Sequence, residues 1–447
     1  MKLLLVQPDA AHELIGWGDL GAIAEPLALE YLAAGARLDA HEVRLLDLRL
    51  HPGALVDELT DFKPDVVGLT GYSMHVLRNL ELCRQVKSAR PDVVTVVGGH
   101  HATLLPEDFL EEQVDFVVVG DGVGALRALL RALEHGDLRP SIPNVWTREG
   151  GRTFHHNCDR PEFRIGDLPP PDRTLASYDR AAYFIDWMRP IALMRSSVGC
   201  PYRCSFCSLW RIMDGRYHKR DVGSVVEELA QIPEEFVFFV DDEAFVNKRH
   251  MTAIAVAIRE AHIRKKYFSY CRIDTLIRHR ELLELWRDIG LERLFIGIEA
   301  VTEGGLADYN KRLRVAEIEA GLRAAREIGI KVFAGFIVHP SFTERDFTRL
   351  VRFIEHNSVD YPSFTVLTPL PGTPALKTFD AVTELQPNGR PDWSLFDLQH
   401  AVTQTHLPKD EFLRHYRGLQ RTFARSFSEY RDVRHIINAH REKRRAI

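Results

Sequence analysis

Three cysteines fall within nine positions of GCPYRCSFC, residues 199–207, separated by three and then two residues. Three chemistries fit Cys200, Cys204 and Cys207. They can close a zinc site with His218 as fourth ligand, since structural zinc takes four nitrogen or sulfur donors. They can be unrelated buried thiols. They can hold a 4Fe–4S cluster by three of its irons, leaving the fourth iron open to a substrate or cofactor. The remaining cysteines, Cys83, Cys158 and Cys271, lie far from the trio in the chain. Cys83 falls in a helical pattern, Cys158 in a stretch without pattern and Cys271 late in a strand, where it packs as a small hydrophobe.

Hydrophobic patterning supplies two frames for such chemistry. Over the first 140 residues, apolar strands at 2–8, 42–48, 64–71, 92–99 and 115–122 alternate with amphipathic helices such as EPLALEYLAAGARL and VLRNLELCRQVKSAR. Continuous Val/Ile/Leu runs separated by helices predict a parallel sheet covered on both faces. Such a doubly wound domain binds its ligand at the carboxyl ends of the strands. Three of these ends are polar or glycine-rich: GYSMH (71–75), GGHHAT (98–103) and GDGVG (120–124). Residues 141–190, with the proline cluster DLPPPDR, read as a linker. From 191 to 375 six apolar strands recur between helices, which predicts an open, partial (β/α)6 barrel with the cysteines after its first strand. Residues 376–447 read as a helical C-terminal region, and its basic run RDVRHIINAHREKRR as a solvated helix face.

The C-x3-C-x2-C spacing, with Phe206 just before the last cysteine and a place after the first of six βα units, resembles the signature of the radical S-adenosylmethionine (radical SAM) superfamily. The resemblance implies that the open iron is chelated by the amino and carboxylate groups of S-adenosylmethionine. It also implies that Asp241, Asp242 and Glu243, in FFVDDEAF at the end of the second strand, face the methionine ammonium. A carboxylate opposite an ammonium is a charge-assisted pair, although Asp242 can equally cap a helix. Arg272, Asp274 and Glu299, after the third and fourth strands, become candidates for the carboxylate and ribose contacts, and FAGFIVHP (333–340) for the adenine.

A doubly wound domain joined through LPPPDR to such a barrel resembles the cobalamin-binding radical SAM enzymes. GCPYRCSFCSLW, DWSLFDLQHAV and HLPKDEF are most similar to hopanoid-type methylases. This implies cobalamin over Tyr72, Ser73 and His75, with Gly98, Gly99, His100, Gly120 and Gly122 admitting its nucleotide tail. The D-x-H-x-x-G motif that offers a histidine to cobalt is absent, for DAHEVR (39–44) lacks the glycine and opens a strand at the wrong end of the sheet. His75, His100 and His101 are therefore expected as hydrogen-bonding loop residues. Only Cys83 and Cys158 precede residue 200, so the second cluster of the related methylthiotransferases has no ligands here.

The implied activity is methylation of an unactivated carbon in a small-molecule or lipid-like substrate. S-Adenosylmethionine is cleaved reductively to a 5′-deoxyadenosyl radical, with electrons from a donor such as flavodoxin or ferredoxin, and methylcobalamin donates the methyl group. The rivals are a cyclase or ring-contraction enzyme on the same scaffold and a cobalamin or iron–sulfur sensor without turnover. A net charge of −5 with no basic domain argues against nucleic acid. No apolar run approaches the ~20 residues of an integral membrane segment, and no signal peptide develops before Pro8 and Asp9. With few cysteines in a long chain, a reducing cytoplasm is the expected setting. The aromatic segments YDRAAYFIDWM (178–188) and DWSLFDL (392–398) are candidates for lining an apolar cavity.

Overall fold

The computed structural model describes residues 1–9, 22–159, 163–185, 187–376 and 379–423. Strands β1 (Lys2–Gln7), β2 (Glu42–Asp47), β3 (Val66–Leu69), β4 (Val94–Val97) and β5 (Phe116–Val118) run parallel in the order 2-1-3-4-5. The strands β1, β3 and β5 are apolar on both sides because each side is covered. Leu3, Leu5, Val66 and Val96 pack against α1 (Leu27–Leu38) and α4 (Gly122–Glu134), while Leu4, Val6, Val67 and Val97 pack toward α2 (Leu55–Asp61) and α3 (Val76–Ala89). The strand order reverses at β1, which opens a crevice at the carboxyl ends.

The stretch 141–190 is more than a linker. β6 (Val145–Gly150) and β7 (Thr153–His156) form an antiparallel hairpin that extends the first sheet from β5. Arg173 and Arg180 then tie the two halves of the chain together. Arg173 pairs with Glu25 of the first domain and, at 2.7 Å, with Glu228 of the second. Arg180 pairs with Glu25 at 2.8 Å and Glu234 at 2.6 Å.

The second domain has six parallel strands in sequential order: β8 (Ile191–Met194), β9 (Phe236–Phe239), β10 (Lys266–Tyr270), β11 (Leu291–Glu299), β12 (Lys331–Val338) and β13 (Tyr361–Val366). Between them run α5 (Val222–Gln231), α6 (Lys248–Glu260), α7 (Arg280–Asp288), α8 (Val315–Ile328) and α9 (Glu344–His356). Their apolar faces bury Met194, Phe239, Leu294, Ala334 and Phe364. The opposite faces of the strands carry Leu193, Phe238, Phe268 and Phe333, which pack with Leu27 and Tyr31 of α1. Cys83 and Cys271 are both buried, in α3 and just after β10, as expected of small hydrophobes.

After β13 the chain crosses back to the first domain before α10 (Lys409–Phe423) returns to β13, where Tyr416 Oη donates to the Phe364 carbonyl at 3.0 Å. Trp393 and Phe396 of DWSLFDL are buried in the α3-side core of the first domain. Tyr183, Phe184 and Met188 are buried as well. Both aromatic segments are therefore largely core, which corrects their assignment to a ligand cavity. The basic run 431–445 lies outside the described residues.

Candidate active site

The cysteine loop leaves β8 through Ser197–Val198, which pairs antiparallel with His218–Lys219 and closes residues 199–217 into a loop. Gly199 permits the entry: its φ is +91°, and a Cβ there would lie 2.0 Å from the Arg216 carbonyl oxygen. The loop is stitched to the segment after β11. Ser205 N donates to the Tyr309 carbonyl at 3.1 Å, Ser205 Oγ to Asp308 O at 2.8 Å, and Asn310 Nδ2 to Arg203 O at 2.8 Å. The aromatic before the last cysteine has a packing role, as Phe206 meets Tyr309 edge-on at 5.5 Å.

Burial pushes the Cys200 thiol up to about 12 and the Cys207 thiol up to about 11. Thiols held that high become ligands when a metal centre replaces their protons. The geometry also separates a cluster from a single ion. Three thiolates on one zinc stand about 4 Å apart. Among the described residues, only Glu344, Glu411 and His415 bring three candidate ligand atoms within 4.8 Å of one another. The cysteine sulfurs do not converge in that way, whereas a cubane takes each thiolate on a different iron. His218 packs edge-on against Phe163 at 5.5 Å. The donor set therefore fits a 4Fe–4S cluster better than zinc.

Around the loop, the acidic trio divides. Asp241 is fully buried and accepts from the Ser196 and Ser197 backbone N–H groups and from Ser196 Oγ, so it ties β9 to the end of β8. Asp242 Oδ2 accepts from Gly199 N at 2.7 Å. Glu243 Oε1 is buried with no hydrogen-bond partner, and burial raises its carboxyl to about 7. An orphaned buried carboxylate oxygen fits a cationic ligand.

Arg272 contacts the cysteine loop directly. Its Nη1 lies 3.7 Å from Cys204 Sγ, its Nη2 donates to Lys311 O at 2.9 Å, and its guanidinium covers the Tyr202 ring at 3.9 Å. Asp274 is bound to Arg272 at 2.9 Å and to Arg278 at 3.2 Å. Glu299 ends β11 with φ +68° and pairs with Lys311 at 3.0 Å. Lys311, Tyr202 and Tyr270 are missing from the sequence reading. Tyr202 could have been found from its place inside the cysteine spacing, but nothing local distinguishes the other two.

On the first domain, the loops after β3, β4 and β5 meet at one edge. Tyr72 is exposed, and its ring lies 5.5 Å from that of His100. His75 Nδ1 accepts from Tyr72 N at 3.1 Å, and Gly120 N donates to Thr103 Oγ1 at 3.0 Å. Gly99 is required by the backbone, since a Cβ would stand 2.6 Å from Thr70 Oγ1 and 2.7 Å from Gly71 N. Gly120, at φ +77°, faces open space, whereas Gly122 abuts Leu32 at the α1–α4 contact. Ser73 Oγ is engaged by His101 Nδ1 at 2.9 Å, and His101 Nε2 by Asp108 at 3.0 Å. Burial lowers His75 and His100 to about 4, so both rings are neutral.

A doubly wound domain with glycine-lined strand ends, set against a partial barrel with an open three-cysteine loop, is the architecture that the resemblance to cobalamin-binding radical SAM enzymes implies. Comparison with known proteins agrees. The B12 binding domain family matches residues 15–130 and the Radical SAM superfamily residues 194–354. The chain is 33% identical over 393 residues to the hopanoid C-3 methylase of Methylococcus capsulatus, covering 87% of this chain and 74% of that one. It shares the fold of the radical S-adenosylmethionine methyltransferase TsrM from Kitasatospora setae, solved with cobalamin and a 4Fe–4S cluster bound. The TM-score is 0.70 at 18% identity, over 99% of both chains. The cobalamin-dependent enzyme OxsB, solved with aqua-cobalamin and S-adenosylmethionine, gives 0.70 at 17% identity over 94% of this chain and 66% of that one.

The chain belongs to the cobalamin-binding radical SAM family. It is a cobalamin-dependent radical SAM methyltransferase, and its cofactors are a 4Fe–4S cluster, S-adenosylmethionine and cobalamin. Among the described residues no helix is long and apolar enough to cross a membrane.

Proposed function

We propose that this methyltransferase acts on an unactivated carbon of an apolar small molecule or lipid-like metabolite. The observation that carries this reading is an aromatic wall on the face of the barrel sheet that packs toward the first domain. Tyr270 ends β10 and Phe295 lies midway along β11, and their rings, 5.3 Å apart, are half-buried. Burial raises the Tyr270 hydroxyl, and the nearby Tyr72 and Asp242 raise it further. Such a wall offers aromatic surface with few polar groups. The similarity to a hopanoid methylase supports the same class of substrate.

In this reading Cys200, Cys204 and Cys207 hold the cluster. Glu243 and Asp242 face the ammonium of S-adenosylmethionine, Arg272 sets a positive charge beside Cys204, and the Glu299–Lys311 pair borders the nucleoside. Loops 71–75, 98–101 and 120–122 hold cobalamin with no histidine on cobalt. No side chain can deprotonate an unactivated carbon. When bound, the cofactors supply hydrogen-atom removal and a transferable methyl group, while the chain orients the substrate and excludes water. A cytosolic one-electron donor such as flavodoxin or ferredoxin completes the system.

The test is anaerobic reconstitution with a lipid and metabolite extract of the host, followed by mass spectrometry. The expected product gains one methylene for each two S-adenosylmethionines consumed, one recovered as S-adenosylhomocysteine and the other as 5′-deoxyadenosine. An unchanged carbon count would favour cyclisation or ring contraction. Methylation without 5′-deoxyadenosine would refute the unactivated target.

A further inference from the structure

We propose that His100 is an interdomain positioning residue that, through Ser208, sets the spacing between the corrin loop and the cysteine loop. It rests on the loop assignments proposed above. His100 opens the short helix His100–Leu104 directly after Gly98 and Gly99. Its Nε2 lies 3.3 Å from Ser208 Oγ. Ser208 is buried at 3% exposure and immediately follows Cys207. A neutral imidazole has one donor and one acceptor nitrogen, and a hydroxyl can complement either.

A second contact turns this link into an orientation. From the segment that follows Ser208, Arg211 Nε donates to Gly372 O at 3.1 Å. Gly372, at φ +79°, fits beneath Leu104: a Cβ there would stand 3.1 Å from Leu104 Cδ2 and 3.4 Å from Arg211 Cγ. Both ends of the helix His100–Leu104 are thus seated on the chain that leaves the cluster loop, His100 directly and Leu104 through Gly372. The two cofactors must serve one substrate carbon, and a misplacement of about 1 Å is costly in such reactions. With Nε2 committed to Ser208, His100 acts between loops rather than on cobalt.

The test uses the full-length chain and the variants Ser208→Ala, His100→Ala, His100→Gln and the double alanine. In the cofactor-free chain, each single alanine should speed amide exchange about 3- to 10-fold in both 98–105 and 205–212, the range expected for one lost hydrogen bond. The double variant should add nothing, because the two changes remove the same bond. In reconstituted protein, dipolar coupling between cob(II)alamin and the reduced cluster should report a broader, longer spin separation in the alanine variants. His100→Gln should restore it. Ser208→Ala removes a single oxygen, so it keeps the test valid should His100→Ala fold poorly. A spin separation unchanged in Ser208→Ala overturns the proposal, even where exchange responds. Loss of nitrogen hyperfine structure at cobalt in His100→Ala also overturns it, since His100 would then be a ligand.

Discussion

Replacing Asp241 separates a frame residue from a ligand residue. Its Oδ1 accepts two backbone N–H groups, from Ser196 at 2.8 Å and from Ser197, and its Oδ2 accepts the Ser196 hydroxyl at 2.7 Å. All three residues are fully buried. Asp241→Ala orphans both N–H groups, and each buried unsatisfied donor costs roughly 1–3 kcal/mol. The expected loss of unfolding free energy is therefore about 3–5 kcal/mol, with loss of cluster binding because β8 leads into the cysteine loop. Asp241→Asn is different. Its Oδ1 keeps both N–H bonds, and its amide can donate to Ser196 Oγ once that hydroxyl turns. Burial raises the native carboxyl from 3.8 to about 6, against the pull of the serine bonds. A raised carboxyl favours folding fully below its unfolded pKa and loses that contribution as pH rises through the folded one. Two pK units correspond to roughly 3 kcal/mol. An asparagine escapes this, so at pH 7.5 the variant should unfold within about 1 kcal/mol of the natural chain or above it. It should also lack the decline in stability between pH 4 and 6. Urea unfolding of the cofactor-free chain at several pH values, with S-adenosylmethionine binding to the reconstituted form, checks both variants. An Asp241→Asn protein that unfolds normally but no longer binds S-adenosylmethionine would refute the frame role.

Two further outcomes follow from the same geometry. Anaerobic reconstitution should give about four irons and four sulfides per chain, and almost none in the Cys200→Ala/Cys204→Ala/Cys207→Ala variant; stoichiometric zinc without iron would contradict the cluster. Gly99→Ala should abolish cobalamin retention, because its Cβ would run into backbone at 2.7 Å, whereas Gly120→Ala, with nothing within 4 Å, should cost only about 1–2 kcal/mol for its left-handed φ; equal effects measured by cobalamin titration and thermal unfolding would undo the distinction.

The parts legible in the sequence were those written locally. Five apolar runs between amphipathic helices specify a doubly wound sheet, six more specify the barrel, and the cysteine spacing marks the loop that follows β8. The hairpin β6–β7 was hidden because only Val145 and Thr147 of its short strands are well buried, too few to register as alternation. The roles within Asp241, Asp242 and Glu243 were hidden for another reason. Three adjacent carboxylates look equivalent in one dimension, but at the end of a strand successive side chains point in different directions. One therefore meets Ser196, the next Gly199, and the third keeps its Oε1 without a hydrogen bond. The aromatics of DWSLFDL read as a cavity lining because the ring partner of Trp393, His101, lies more than 280 residues earlier in the chain.

The structure within residues 141–190, read from sequence only as a linker, was hidden for the same reason, and it gives the site its base. β8 is an edge strand, and its outward backbone donors are met from outside the sheet, Ile191 N donating to Tyr183 O at 3.2 Å. Glu25 of the first domain accepts from Leu193 N on that strand, while Arg173 and Arg180 bind the same carboxylate. Glu25, Glu30, Glu228 and Glu234 thus face Arg173, Arg180 and Arg220 at the junction, four acids against three guanidinium groups. Burial, and then the neighbouring Glu25 carboxylate, raise Glu30 well above an ordinary carboxyl. Buried pairs of this kind contribute little net stability over an apolar junction, but removing one partner is costly. What they supply here is a single permitted arrangement. The strand that feeds the cysteine loop is held by the cobalamin-binding domain at its base, and His100 and Ser208 meet at its other end.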